Sequence, residues 1–287
     1  MKTPIKYFVI FFLTLIAQSC SIERSENGWT NDNLEGKVLS YSEFSYKAED
    51  RFGNIEKGKL KREATGERDF QKKYDEKGNK VEENRYYSGG SLDDKSTYKH
   101  DENGNLIEEN NYNSYGSLDS KNKYKHDENG NLIEVSFYNS SGSLDSKNIY
   151  KYDEKGNKVE GNNYKSDGGL GSMCTAKYDK RGNKVEQNCY NSDSSLYERY
   201  TAKYDDKGNK IEQNWYNSDG RLDKKHTYMY DDKGNKIEQN CYNSGGRLYE
   251  KYAYSYDFDN QDNWIKQIHF KDEMPRFILE REYEYYN

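Results

Sequence analysis

The chain has 287 residues, 45 Lys and Arg against 51 Asp and Glu, a net charge of −6 and a mean hydropathy of −1.36. A charged fraction of 33% ordinarily leaves too little apolar surface to offset chain entropy, but 30 tyrosines, most of them periodic, offer rings that bury area while their hydroxyls stay wet. The acidic balance is spread evenly and no basic stripe favours nucleic acid.

Residues 1–19 read as a processing signal. Lys2 and Lys6 give a positive start, and Tyr7 to Ala17 is an almost unbroken apolar run, shorter than the ~20 residues that span a bilayer. Ala17-Gln18-Ser19-Cys20 resembles a bacterial lipobox, with Ala17 where Leu is usual. That resemblance implies cleavage before Cys20, lipidation of its thiol and a membrane-tethered protein of the cell envelope, at the outer membrane or cell surface. An ordinary secretory signal with a chance cysteine is the alternative. Residues 20–35, the lipidated cysteine and a patternless stretch after it, read as a polar tether.

From 36 onward the chain repeats. Starting at Tyr74 with a step of 26, position 1 is Tyr or His, Asp follows at position 2, Gly-Asn stands at 5 and 6, Val or Ile at 8, Glu at 9, Tyr at 13 and Leu at 19. Residues 74–255 are seven whole repeats. Residues 36–73 and 256–287 hold weaker copies, Gly53-Asn54-Ile55-Glu56 and Asp262-Asn263-Trp264-Ile265, and read as capping repeats. Pro4 and Pro275 both lie outside the repeats, which suits uninterrupted ladders.

Each repeat divides into two strands, Asn79 to Tyr87 and Leu92 to Asp101 in the first. They are joined by turns of the Asp75-to-Gly78 and Asn217-to-Gly220 kinds, where Asp or Asn opens and Gly closes. Such links make antiparallel hairpins and leave no room for crossover helices. The expected fold is all-β, an antiparallel meander of 26-residue two-strand repeats whose sheet curls or spirals. Three-residue loops pair position 2 with 6 and 14 with 18. They place the Tyr rows of positions 1, 13 and 25 and the Leu row of 19 on one face, with positions 8 and 12 on the other, whereas two-residue loops, the alternative, shift the pairing by one and regroup these sets.

Tyr228-Met229-Tyr230-Asp231-Asp232-Lys233-Gly234-Asn235 is similar to the YD repeat of the Rhs family of cell-surface and toxin-shell proteins. The likeness runs over residues 46–287. It implies a spiralling β-sheet and, as in some members, sugar binding or adhesion. The longer period departs from the family, as do Ala176 and Ala202 at position 25, and no toxin domain follows the repeats, so toxin delivery is not implied.

The chemistry-bearing residues are few. His100 and His126 substitute ring for ring at position 1, while His226 and His269 have no evident partner; nothing resembles a catalytic set, and no enzyme is expected. Cys189 and Cys241 hold position 12 two repeats apart, ~19 Å by strand spacing and too far for a disulfide. Cys174 and Cys189 fall on neighbouring strands but on opposite faces of the register above, so free thiols are expected. Asp101-Glu102-Asn103-Gly104-Asn105 has calcium-loop flavour, yet Lys77, Lys155, Lys207 and Lys233 in sister loops favour a plain turn. No metal or cofactor is expected. The candidate binding surface is the position-13 row, Tyr112, Tyr138, Tyr164, Tyr190, Tyr216 and Tyr242, with Glu at 9 and Asn at 11 beside it, as in Glu212-Asn214-Tyr216. Rings beside amides and carboxylates suit a glycan. The competing reading is structural, with Tyr ladders covering the sheet and each Glu meeting a cross-strand Lys. A binding or adhesive scaffold for carbohydrate is the leading expectation. A spacer, or an envelope-assembly or immunity-type protein recognising another protein, is the second.

Overall fold

The computed structural model describes residues 27–60, 69–87 and 90–287. The leader, Cys20 and the tether up to residue 26 lie outside the described residues. One helical turn, α1 (Gly28–Asn31), is capped by the Asn27 side chain, which accepts from the Thr30 amide at 3.1 Å. Nineteen strands follow. β1 (Val38–Arg51), β2 (Asn54–Leu60) and β3 (Asp69–Tyr74) come first, then two strands per repeat from β4 (Lys80–Tyr86) to β17 (Leu248–Phe258), then β18 (Trp264–Lys271) and β19 (Met274–Tyr285).

Every pairing is antiparallel. One edge of β1 pairs with β2 through residues 46–51 and with β3 through residues 40–43. Its other edge pairs with β19 from Val38↔Tyr285 to Lys47↔Phe277. β1 and β3–β19 therefore form a closed ring of eighteen strands, with β2 as a flap on the edge of β1. The spiral is corrected to a barrel. The two capping segments do not end the array separately; they pair with each other, which removes both free edges. Strand spacing gives a circumference of at least ~85 Å and, were the ring circular, ~27 Å between opposite backbones.

The close packing is concentrated at this seam. Leu34, Val38, Tyr41 and Tyr74 are buried together, with Trp29, Phe70, Tyr283 and Tyr285 against them. The Arg281 guanidinium lies 3.7 Å from the Trp264 ring centroid and 4.6 Å from that of Tyr41, and its Nε donates to Glu43 Oε2 at 2.8 Å. Residues 27–35, the described part of the expected tether, belong to this cluster. Trp29 Nε1 donates to the Val38 carbonyl at 2.7 Å, and Asn263 bonds both the amide and the carbonyl of Glu35.

The turns are the three-residue loops expected. The Asp75 amide donates to the Asn79 carbonyl and the Gly78 amide to that of Asp75, and the same pair of bonds recurs in each repeat. The Asp101 carboxylate, at position 2, accepts from the amides of Asn103 and Asn105 and from the Asn105 side chain, so it is held by its own loop. Glycine at position 5 has φ between +82° and +87° throughout, which a side chain resists.

The expected faces are wrong, and the reason is local. Lys73 pairs with Glu82 and Tyr74 with Lys80, leaving position 8 bulged; Arg85 pairs with Asp94 and Tyr86 with Leu92, leaving position 20 bulged. Both bulges recur in every repeat. Each inserts one residue and moves all later side chains to the other face. Positions 1, 7, 10, 12, 21, 23 and 25 share one face; positions 9, 11, 13, 19, 22, 24 and 26 share the other. The Tyr rows of 1 and 25 are thus separated from the Tyr row of 13. The same shift brings Cys174 opposite Cys189. They form a disulfide with Cα atoms 4.1 Å apart, against the expectation of free thiols, while Cys241 is free and buried.

Candidate binding faces of the barrel wall

The face carrying positions 1, 7 and 25 is the inner one. The segment after α1 packs on it, with Asp32 bonded to Lys72 and accepting from the Tyr74 hydroxyl at 2.5 Å. Position 26 is exposed in every repeat, whereas its neighbour at position 25, on the inner face, is buried or half-buried in every repeat.

The outer face is a charge ladder. In five of the seven repeats the Glu at position 9 sits between a cation at position 26 of one neighbouring strand and a cation at 22 of the other; Glu160 and Glu238 keep one cation each, Lys151 and Lys251, with Met173 and Met229 in the other place. Glu212 meets Lys203 at 2.9 Å and Lys225 at 2.7 Å; Glu108 meets Lys99 at 3.1 Å and Lys121 at 3.2 Å. Asn at 11 completes the set, as Asn214 Nδ2 donates to Glu212 at 3.1 Å. These bonds hold Glu108 and Glu212 down to about 2: for Glu108 the Asn110 amide is the chief cause, for Glu212 the Lys225 ammonium. A charged belt of this kind is the opposite of the apolar outer band of a membrane-spanning barrel.

The six candidate tyrosines lie on this outer face, half-exposed and one per repeat. The wall spaces them ~10 Å apart by strand geometry rather than gathering them. Lys123 Nζ lies 5.6 Å from the Tyr138 ring centroid and the Arg199 guanidinium 5.2 Å from that of Tyr216. The Glu and Asn beside them are already bonded within the ladder.

The inner wall is different. At its rim, position 1 pairs with position 7 in register: Tyr152↔Lys158, Tyr178↔Lys184, Tyr204↔Lys210 and Tyr230↔Lys236. Each tyrosine also reaches one repeat back to a position-7 carbonyl beside the bulge. Tyr178 donates to Lys158 O at 2.8 Å, Tyr204 to Lys184 O at 2.9 Å, Tyr230 to Lys210 O at 2.8 Å and Tyr256 to Lys236 O at 2.8 Å. Rings are thereby laid along the wall between lysines. Where position 1 is His100 or His126, position 7 is Leu106 or Leu132. This exchange within the chain is the signal that marks the inner wall, and pattern reading aimed at position 13 missed it. Burial lowers the pKa of His100 and His126. His226 and His269 find ring partners, Trp215 at 4.6 Å and Tyr254 at 5.0 Å, and burial followed by the Lys236 charge lowers His269 to about 4.

Two cavities open on this wall. One, of about 390 Å³, lies where Gly161 and Ala176 interrupt the larger side chains, among Tyr150, Lys158, Lys184 and Gln187. The other, of about 820 Å³, lies beside the α1 segment and is lined by Asp32, Tyr230, Lys236, Tyr256, Trp264 and Arg281.

No protein-family description and no curated protein matches the sequence. Among solved structures the chain is similar to a porin-like protein from Bacteroides uniformis, 8% identical with a TM-score of 0.43, over 86% of this chain and 98% of that one. It is also similar to a porin-like protein from Bacteroides vulgatus at 10% identity and TM-score 0.37. A third match is a chain of the Photorhabdus luminescens Tc holotoxin pore, at 9% and 0.20, of which it covers 19%. At these scores the likenesses carry no argument about function. A closed β-barrel is compatible with an outer-membrane or envelope location.

Proposed function

We propose that this chain is a non-enzymatic, lipid-anchored scaffold of the cell envelope that binds carbohydrate against the inner wall of its barrel. Cys20 is the lipid attachment point in this reading. The outer charge ladder favours a barrel held beside a membrane over one embedded in it, and the Cys174–Cys189 disulfide suits an oxidising compartment. The observation that carries the binding role is the inner rim, where tyrosine rings alternate with lysines around two cavities. Rings supply stacking faces, and the smaller cavity is lined by the amides of Gln187, bonded to Lys184 and Cys189, and of Asn148 and Asn163, bonded to each other, whose remaining hydrogen-bonding capacity suits hydroxyl groups.

A glycan array probed with the detergent-extracted full chain tests this. Saturable binding that is lost in Tyr178→Ala/Tyr204→Ala and kept in Tyr190→Ala/Tyr216→Ala supports an inner-wall site. The reverse pattern returns the site to the outer row. No binding by folded protein moves the assignment to the second reading, a spacer or a protein-recognising envelope component, which the internally satisfied outer ladder favours.

A further inference from the structure

Lysines at position 7 occupy four consecutive repeats. In the first repeat the equivalent Lys80 is neutralised by Glu83 at position 10, 2.9 Å away. In the later four that carboxylate is replaced by Gly161, Gln187, Gln213 and Gln239. Lys184, Lys210 and Lys236 donate to those glutamines at 3.0, 3.1 and 3.1 Å, and Lys158 lies 4.5 Å from the Tyr150 ring centroid. Among the described residues none of the four has a carboxylate within ion-pair distance. The turn aspartates Asp153, Asp179, Asp205 and Asp231 are engaged by their own loops. On these repeats the inner-wall carboxylates Glu198 and Glu250 stand at position 21, across from position 12 and so ~17 Å along the strand from the rim, and Asp32, which lines the larger cavity with Lys236, is bonded to Lys72 and Tyr74. Burial of Lys184, Lys210 and Lys236 lowers their pKa, as expected of cations without counter-charges. The row runs from one cavity, which Lys158 and Lys184 line, to the other, which Lys236 lines.

We propose that Lys158, Lys184, Lys210 and Lys236 form an anion-binding stripe along the inner rim that takes an acidic polysaccharide with one carboxylate per disaccharide. The proposal rests on the carbohydrate reading above and names its ligand class. Equivalent lysines stand on alternate strands, ~10 Å apart at the backbone, a spacing close to the length of a disaccharide. The tyrosine rings between them offer stacking surface to the intervening sugars, and the amides at position 10 offer hydrogen bonds. Nucleic acid is less well matched: its phosphates come once per nucleotide, and the stripe has no arginine fork to clasp them.

Calorimetric titration of the detergent-extracted full chain with oligosaccharides of hyaluronan and unsulfated chondroitin, with neutral chitohexaose and with single-stranded DNA decides the matter. At least one acidic oligosaccharide is expected to bind, more weakly as salt rises. Affinity should fall by roughly tenfold or more in Lys158→Gln/Lys184→Gln/Lys210→Gln/Lys236→Gln, which removes four charge-assisted contacts. It should be retained in the matching Lys→Arg variant and in Lys155→Gln/Lys165→Gln/Lys180→Gln/Lys207→Gln, an equal charge change at exposed turns. Equal binding of chitohexaose, or no change in the Gln variant, overturns the stripe while leaving the carbohydrate reading intact. Preference for DNA overturns the ligand class. Failure of every sugar overturns both.

Discussion

Two local features, one residue and one residue pair, carry most of what side-chain replacement can reveal. Position 17 closes the second turn with glycine in six repeats, at φ between +75° and +83°, but the fifth repeat has Ser194 at φ +67°. A side chain in the left-handed region costs about 1 kcal/mol relative to glycine. Ser194→Gly should therefore stabilise the fold by about that amount, seen as a raised urea midpoint with an unchanged slope. The second is the disulfide. Mass spectrometry of a non-reduced digest should find Cys174 linked to Cys189 and Cys241 free. Linking residues 15 apart constrains the unfolded chain by roughly 3 kcal/mol in the entropic model, so Cys174→Ser/Cys189→Ser should lower stability by up to that figure. A linkage through Cys241 would contradict the register.

At the scale of the strand pair, the outer ladder makes stability depend on acid. Glu108 and Glu212 titrate near 2 in the folded chain against an ordinary 4.5. Their folded pKa is depressed, so their contribution is complete above 4.5 and is lost as pH falls toward 2. Unfolding midpoints should be flat above about pH 5 and decline below it. Glu212→Gln should flatten part of that decline and cost about 0.5–1 kcal/mol at neutral pH, since it leaves Lys203 and Lys225 facing an uncharged amide. The same pair of strands shows what a sequence can convey. Strand count, turn class and loop length follow from Asp, Asn and Gly, because those residues act on their own backbone. The face of each side chain does not, because Val81 and Asp93 look like ordinary strand residues and nothing local announces that each is the extra residue of a bulge. One unannounced residue per strand end was enough to misplace two Tyr rows, to part Cys174 from Cys189 and to direct attention to the outer wall.

Closure belongs to the whole molecule, and no local pattern encodes it. Hairpins of fixed twist can extend as an open coil or return on themselves, and the choice here is made by pairs separated by most of the chain: Tyr41 beside Tyr283, and Glu43 bound to Arg281. The capping segments look degenerate because they answer to each other rather than to the repeat. A cysteine pair tests this directly. Ser42 and Glu282 are register partners across β1 and β19. In a Cys241→Ser background, Ser42→Cys/Glu282→Cys should oxidise within the monomer. By the entropic model its closed loop of about 240 residues would stabilise the fold by up to ~5 kcal/mol. In an open coil the two positions would stand at opposite ends of a sheet ~80 Å across, and only intermolecular disulfides would form. A monomeric, cross-linked product on a non-reducing gel therefore means a barrel, and a ladder of oligomers means that the caps do not meet.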